Sequence, residues 1–176
     1  FDLILYSTPP ITFNKVIRTL KKRWNAKTYL MLKDIFPQNA VDLGMFSKKS
    51  FLYRMFRSKE EKLYELSDFI GCMSPANCEY VLKHNPAIDA AKVEICPNSV
   101  KLQERLKGDR KESELLKELN IPASKRIFIY GGNLGKPQGI DFLLKVIEEN
   151  KKRDDSYFVI VGSGTEYMSC LLYTSP

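Results

Sequence analysis

A glycine-rich segment between a strand pattern and a helix pattern constrains the fold of this chain more than any other feature. Residues 131–139 read Gly-Gly-Asn-Leu-Gly-Lys-Pro-Gln-Gly, after an apolar run at residues 126–130 and before a helical pattern at residues 140–147. Glycine lets a backbone approach a ligand closely, and a helix start offers unpaired N–H groups. We interpret the segment as a phosphate cradle to which Lys136 adds a cation; a tight turn without a ligand is the alternative.

Two common nucleotide-binding motifs are excluded by residue spacing. A Walker A loop needs four residues between its first glycine and the Gly-Lys pair, followed by Ser or Thr. Here three residues separate Gly131 from Gly135, and Pro137 follows Lys136. The Gly-x-Gly-x-x-Gly fingerprint of dinucleotide-binding folds is also absent. The spacing therefore argues against a P-loop ATPase and against an NAD-dependent dehydrogenase.

Composition and charge narrow the classes of partner. The net charge of +7 favours anionic ligands. The basic clusters at residues 21–23 and 151–153 end helical patterns, where cations suit the helix dipole, and no zinc-finger, RRM or KH signature accompanies them. We expect no nucleic-acid partner. The four cysteines form no Cys-x-x-Cys pair and His84 is the single histidine, so we expect no metal site and a reducing, cytoplasmic compartment.

Strand and helix patterns alternate along the chain, which predicts an α/β fold with parallel sheets. The strand patterns lie at residues 2–6, 27–32, 68–73, 92–96, 126–130 and 156–161. The helix patterns lie at residues 13–24, 49–66, 75–82, 111–119 and 140–147, and residues 33–40 are expected to form a loop. A fall in apolar density after Pro97 predicts one domain at residues 1–97 and a second at residues 98–167.

A second glycine-bearing turn follows the last strand pattern, at residues 162–166. Ligands in open α/β sheets gather outside the carboxyl ends of the strands, so two such turns in succession favour ligand binding. Residues 168–176 break off the helix expected near Thr165, and we predict that they are a non-native tail. Because the chain starts with Phe1 inside a strand pattern, we also expect the true N-terminus to be missing.

The order of these motifs resembles the family 4 glycosyltransferases, and within them the WbuB-like bacterial transferases that build O-antigen, other lipopolysaccharide parts or capsule. The matching segments are residues 6–10, 33–37, 67–74, 97–100, 132–141 and 162–164. The resemblance implies the GT-B architecture, in which two Rossmann-like parallel-sheet domains face each other across a cleft, both incomplete here. It further implies a cell-envelope enzyme.

The resemblance implies a donor site in the second domain. Its residues would bind the diphosphate and nucleotide of a nucleotide-sugar donor: Gly132, Asn133, Lys136, Gln138, Gly139, Gly162 and Gly164. Relatives commonly carry Arg and Lys where this chain has Asn133 and Gln138, so the usual cationic clamp is altered. We expect Lys136 to face the diphosphate and to stabilise charge on the leaving nucleotide.

The resemblance places the acceptor in the first domain. Many relatives carry His-Asp where this chain has Lys33 and Asp34. Asp34 is the candidate catalytic residue, orienting an acceptor hydroxyl or the donor sugar, with a cap or loop hydrogen bond as the alternative. Lys33 and Pro37 are expected on the acceptor side of the cleft, where a solvated side chain is the alternative for Lys33.

The implied reaction is hexosyl transfer from a nucleotide-diphosphate sugar to a saccharide acceptor, expected to be lipid-linked, without a metal or a further cofactor. Residues 45–57 mix cations with large apolar side chains and could lie at an anionic membrane surface. The alternative is a helix that packs Phe51, Met55 and Tyr64 into the domain. The expected location is cytoplasmic, with peripheral contact to the inner membrane.

The donor domain of the family continues further and carries two glutamates spaced seven residues apart, a segment this chain lacks. We therefore expect the 176-residue polypeptide itself to be inactive or nearly so. Two alternatives stay open. One is a nucleotide-sugar epimerase of the GT-B architecture, and the other is a non-catalytic α/β module that binds nucleotides or phosphate.

Overall fold

The computed structural model describes residues 1–102, 112–122 and 124–174. The chain divides into two compact units, Phe1–Lys101 (unit 1) and Leu102–Pro176 (unit 2). Most of the polar stretch that the sequence predicts after Pro97 lies outside the described residues. The boundary predicted after residue 97 stays a prediction.

Unit 1 is built around a parallel sheet of four strands in the order β1-β2-β3-β4. The strands are β1 (Leu3–Thr8), β2 (Lys27–Leu32), β3 (Phe69–Cys72) and β4 (Val93–Ile95). The helices are α1 (Asn14–Trp24), α2 (Gln38–Asp42), α3 (Phe51–Leu66) and α4 (Pro75–His84), with a 3-10 helix at Ala90–Lys92 before β4. The prediction that residues 33–40 form a loop throughout was wrong, because α2 begins at Gln38 directly after Pro37.

The core of unit 1 lies between the sheet and the helices α1, α3 and α4. Ile17, Leu63, Tyr64 and Val81 from the helices pack against strand residues that include Leu30. Side chains alternate between the two faces of a strand, so the residues between the buried ones point away from these helices. Large apolar side chains on that second face are exposed: Leu3, Leu5 and Phe69.

Ser50 caps the amino end of helix α3. The Ser50 hydroxyl accepts a hydrogen bond from the Tyr53 N–H at 3.1 Å, which satisfies a donor at the helix start. The expectation that Phe51 packs into the domain was wrong, because 73% of its surface is exposed. Tyr64, three turns further on, is 1% exposed and belongs to the core as expected. The amino end of α3 therefore projects from the unit, and its carboxyl half anchors it.

A polar network fixes α3 to the end of α4. The Arg57 guanidinium contacts the carboxylate of the buried Glu60 and donates to the Asn85 side chain and to the His84 carbonyl oxygen. The Tyr64 hydroxyl donates to the other Glu60 oxygen at 2.7 Å. Burial raises the pKa of the Glu60 carboxyl above its usual value, although Tyr64 and Arg57 act in the opposite direction.

A second polar cluster joins α1, β2 and the start of β3. One Asp68 carboxylate oxygen lies 2.7 Å from the Lys21 ammonium and accepts hydrogen bonds of 2.8 Å from both the Thr28 N–H and the Thr28 hydroxyl. At the end of α1, the Trp24 ring contacts the Phe1 ring, with 4.7 Å between centroids. These contacts hold the amino edge of the sheet together.

Unit 2 contains two parallel strands, β5 (Arg126–Asn133) and β6 (Ser156–Ser163). Its helices are α5 (Glu112–Glu118), α6 (Ile140–Asn150) and α7 (Tyr167–Thr174), with a 3-10 helix at Lys136–Gln138. Leu134, Ile140, Leu144 and Cys170 form its core. The predicted tail thus enters α7, where Cys170 is 4% exposed; that its sequence is non-native stays a prediction. Both units confirm the predicted α/β class with parallel sheets.

Candidate functional site

The two glycine-bearing turns of unit 2 lie side by side. Strands β5 and β6 are parallel and in register, with Gly132 opposite Gly162 and Asn133 opposite Ser163. Strand β5 continues through Gly131 and Gly132, although the sequence pattern predicted that both belong to the turn. Both strands consequently end at the same level, and the two loops leave the sheet together at its carboxyl edge.

Glycine is required where the loops meet. A Cβ atom at Gly162 would overlap the carbonyl oxygen of Gly132, and one at Gly164 would overlap the carbonyl oxygen of Leu134. A side chain at either position would force the two loops apart. These glycines therefore serve the close approach of backbone to backbone, which is a structural role in addition to the predicted contact with a ligand.

Leu134 joins the first loop to the second through two backbone hydrogen bonds. Its side chain is 1% exposed, its N–H donates to the Ser163 carbonyl oxygen at 2.8 Å, and its own carbonyl oxygen accepts from the Glu166 N–H at 2.8 Å. The Tyr130 hydroxyl donates to the Asn133 carbonyl oxygen at 2.8 Å. Because both loops are held by backbone hydrogen bonds, their shape exists before any ligand arrives.

The amide side chains of Asn133 and Gln138 come together over Gly135. A Cβ atom at Gly135 would lie 3.3 Å from the Asn133 Nδ2 and 3.2 Å from the Gln138 Oε1. The structure thus brings together the two residues that replace the expected cations. Both side chains are exposed, as is Lys136. Neutral amides offer hydrogen bonds without charge, so Lys136 supplies the positive charge of this loop.

Helix α6 starts directly behind this loop. Gly139 has φ = 65°, in the left-handed region that glycine adopts at low cost, and its carbonyl oxygen accepts from the Phe142 N–H at 2.9 Å. The first turn of α6 carries Asp141. The negative charge of this carboxylate partly cancels the positive potential at the helix start. Binding of an anion at this place therefore relies more on the charge of Lys136.

An apolar cavity of about 400 Å³ lies beside the same loop. Phe128, Phe142 and Phe158 line it, and Gln138 and Gly139 belong to its wall. Its surface is suited to hydrophobic packing and contrasts with the polar loop above it.

In unit 1, Lys33 and Asp34 follow β2 at the carboxyl edge of the sheet, and both side chains are exposed. The Thr8 hydroxyl at the end of β1 donates to the Asp34 carbonyl oxygen at 3.2 Å. The backbone of Asp34 is therefore fixed while its carboxylate stays accessible. Pro37 is fully buried at the start of α2, so it anchors this loop to the interior of unit 1.

Two other side chains of unit 1 that could take part in chemistry lie outside the loop after β2. Cys72 ends β3 at the carboxyl edge, but burial raises the pKa of its thiol to about 12, with the neighbouring Cys78 acting in the same direction. His84 ends α4, where its Nδ1 lies 2.8 Å from the Tyr80 carbonyl oxygen and its ring stacks on Tyr80. His84 is also exposed, but it ends α4 and does not belong to the loop after β2, where Asp34 stays the candidate.

Within the described ranges, no group of three or more His, Cys, Asp or Glu side chains is arranged to hold a metal ion. Among the helices of the same ranges, none has the length and apolarity needed to cross a bilayer.

Sequence reasoning did not identify Thr8 as the residue that fixes Asp34. A polar residue that ends an apolar strand directly before Pro9 and Pro10 is the signal that was available. It also did not identify Leu134, whose apolar side chain within a glycine-rich loop points to an anchoring role.

No protein-family model matches the chain. The chain is 27% identical over 165 residues to the probable glycosyltransferase WbjE of Pseudomonas aeruginosa, an alignment that covers 93% of this chain and 40% of WbjE. The chain therefore spans well under half the length of this curated relative. A likeness of this extent, on a fold with parallel sheets and paired glycine turns, supports a glycosyltransferase.

Proposed function

We propose that this chain forms part of a GT-B glycosyltransferase that moves a hexose-type sugar from a nucleotide-diphosphate donor to a hydroxyl of a saccharide acceptor. The observation that carries the proposal is the pair of glycine turns, held together by Leu134 at one sheet edge. The similarity to WbjE over 93% of the chain supports it.

The donor diphosphate binds at the loop of Asn133, Lys136 and Gln138. Lys136 contributes a charge-assisted contact, and the two amides over Gly135 contribute neutral hydrogen bonds. The preformed loops lower the entropic cost of binding. As the bond to the sugar breaks, Lys136 stabilises the negative charge that develops on the leaving diphosphate.

The acceptor binds at the carboxyl edge of the sheet in unit 1. The exposed Asp34 carboxylate orients an acceptor hydroxyl, and the hydrogen bond from Thr8 holds its backbone in place. Lys33 contacts a phosphate group of the acceptor. Catalysis then depends on positioning and on electrostatic support, without a metal or a further cofactor.

The finer assignment follows the sequence resemblance. We propose a family 4 enzyme of the WbuB-like group that acts in O-antigen, lipopolysaccharide or capsule synthesis. Its acceptor is lipid-linked, and the enzyme works on the cytoplasmic side of the inner membrane with peripheral contact to it.

A non-catalytic nucleotide-binding module is the second candidate. The observation that favours it is the pair of neutral side chains, Asn133 and Gln138, that flank Gly135. Consumption of a nucleotide sugar by the natural full-length protein distinguishes the two candidates, because a binding module leaves the donor intact.

Titration calorimetry with UDP and GDP tests the donor site. We expect binding of at least one of them by the chain, and a loss of about tenfold in affinity for Lys136→Ala, the equivalent of about 1.4 kcal/mol. Lys145→Ala, an exposed lysine on α6, is the matched control and should bind like the unchanged chain. Equal affinities for both variants, or no binding of either nucleotide, would contradict the proposal.

A further inference from the structure

One face of α3 carries a continuous stripe of cationic and apolar side chains. Residues at positions three and four apart lie on the same side of a helix. Such a stripe lines an open groove of about 620 Å³ on the surface of unit 1 and is formed by Phe51, Arg54, Met55, Ser58, Lys59 and Lys62. We call these six residues, together with Met45, Lys48, Lys49 and Leu52 beside the amino end of α3, the basic-apolar face.

Large apolar side chains on the basic-apolar face project into solvent. Met45 is 70% exposed, Phe51 73% and Leu52 49%. Phe51 and Leu52 are consecutive at the amino end of α3, and Met45 lies in the segment before it, so all three belong to the same end of the helix. Large apolar side chains exposed together mark a surface that becomes buried against a partner.

The cations of the basic-apolar face are uncompensated. In the described part of the chain, Lys48, Lys49, Arg54, Lys59 and Lys62 take part in no ion pair. The acidic residues in the middle of α3 are occupied elsewhere, since both Glu60 and Glu61 contact Arg57. The face therefore carries a net positive charge, because its five cations outnumber the exposed Glu65 carboxylate that follows Lys62 on α3, and it is complementary to a negatively charged surface.

An aromatic cluster connects this face to the candidate acceptor site. The Phe56 ring lies 5.0 Å from the Phe36 ring and 6.3 Å from the Phe46 ring, measured between centroids. Phe36 precedes Pro37 in the acceptor-side loop, and Phe46 follows Met45. Helix α3, which carries the basic-apolar face, is thus packed through Phe56 against the loop after β2 that contains Lys33 and Asp34.

We propose that the basic-apolar face docks on an anionic phospholipid bilayer. Phe51, Leu52 and Met45 enter the boundary between head groups and acyl chains, and the lysines contact the lipid phosphates. Docking holds the acceptor-side loop at the level of the head groups. The docking itself is independent of the reaction, whereas its use in presenting a lipid-linked acceptor rests on the proposed function.

Nucleic acid shares the negative charge but not the apolar layer. A phosphate backbone attracts the lysines and leaves exposed Phe51 and Met45 without a partner. The combination of both side-chain types at one place favours a bilayer.

Sedimentation with lipid vesicles tests the proposal. The chain is mixed with vesicles of phosphatidylcholine alone or of equal parts phosphatidylcholine and phosphatidylglycerol, at low and at high salt. We expect binding to the anionic vesicles and a decrease at high salt. Phe51→Ser with Leu52→Ser, and separately Lys48→Glu with Lys49→Glu, should each weaken partitioning about tenfold.

Unit 2 provides matched controls. Phe142→Ser removes a side chain that is also 73% exposed, and Lys151→Glu with Lys152→Glu reverses a second exposed lysine pair. Both should sediment like the unchanged chain, and circular dichroism checks that each variant folds. Equal binding to neutral vesicles, equal losses in the controls, or binding to duplex DNA without binding to vesicles would overturn the docking. UDP and GDP titrations on the same samples test the donor site separately from the membrane docking. Loss of vesicle binding with nucleotide binding intact would contradict the docking alone, and loss of nucleotide binding with vesicle binding intact would contradict the donor site alone.

Discussion

Gly162 lies so close to Gly132 across the β5–β6 pair that a methyl group at position 162 would overlap the Gly132 carbonyl oxygen. One residue earlier in β5, a methyl group at Gly131 would meet no atom within 4 Å. The two glycines of the doublet therefore differ in their surroundings, although they are indistinguishable in the sequence.

Gly162→Ala is expected to lower the stability of unit 2 by about 1–3 kcal/mol, because the backbones of the two loops must separate to make room. The same variant should weaken binding of UDP or GDP, since the loops that hold the diphosphate shift. Gly131→Ala is the control and should change both quantities little. Urea unfolding followed by circular dichroism, with calorimetric titration, measures them; an unchanged midpoint for Gly162→Ala would show that the loops are not in contact.

Asp68→Asn is expected to lower stability at neutral pH by about 1–2 kcal/mol, because the Asp68 carboxylate accepts from Lys21 and twice from Thr28. Burial raises the pKa of this carboxyl, but these contacts outweigh burial and hold the pKa below its usual value. A lowered pKa in the folded state stabilises the fold above the unfolded value, about 3.9, and this contribution disappears as the pH falls through the folded pKa.

The difference in stability between the unchanged chain and Asp68→Asn should accordingly be largest at neutral pH and shrink below about pH 4. Urea unfolding at a series of pH values, followed by circular dichroism, measures it. Asp155→Asn is the control, since Asp155 pairs with Arg153 at 2.8 Å, both side chains are exposed, and the pair should contribute little. A difference that is constant with pH would show that the Asp68 contacts do not form.

Arg57→Ala is expected to destabilise unit 1 by about 3 kcal/mol. The Glu60 side chain is 5% exposed, and loss of Arg57 leaves its carboxylate buried without a cation while Asn85 also loses its contact. Arg54→Ala, an exposed arginine on the same helix, should cost less than about 0.5 kcal/mol. Thermal unfolding compares the two, and similar losses in both variants would argue that the Arg57 network contributes little.

Cys72 is expected to resist thiol reagents. Its side chain is fully buried and the pKa of its thiol is raised to about 12, so little thiolate is present near pH 8. Cys96 is partly exposed and should be alkylated before Cys72. Peptide mass spectrometry after brief labelling with iodoacetamide identifies the sites, and labelling in urea is the control in which Cys72 reacts as well. Equal rates for Cys72 and Cys96 in the native chain would contradict its burial.

The alternation of strands and helices was predictable because each element buries one periodic face. Helix α2 was not predictable in this way, since five residues after Pro37 are too few to show a helical period. Strand β5 extends through Gly131 and Gly132 because its backbone pairs with β6, and backbone pairing leaves no side-chain pattern in the sequence. The residue pattern of one segment does not show how far a strand extends when pairing with a second strand determines its end.

For the candidate site, the sequence placed the two glycine turns at one sheet edge but could not show what each glycine contacts. Gly162 and Gly164 face backbone atoms from the other loop, about thirty residues away in the chain. The Arg57 network was also not predictable from the sequence, because Arg57 and Glu60 have the i,i+3 spacing of an ordinary surface ion pair. Only the fold brings Asn85, which follows α4, into contact with Arg57. The roles of Asp34, Lys136 and the other proposed site residues stay predictions.

Trp24, which ends α1 against the Phe1 ring, is the single tryptophan of the chain. Its fluorescence is therefore an optical signal from unit 1 alone, whereas far-ultraviolet dichroism records the helices of both units. The two signals change together during unfolding only if both units melt in one cooperative step. The position of one indole ring thus allows the cooperativity of an intact two-unit chain to be measured without a label.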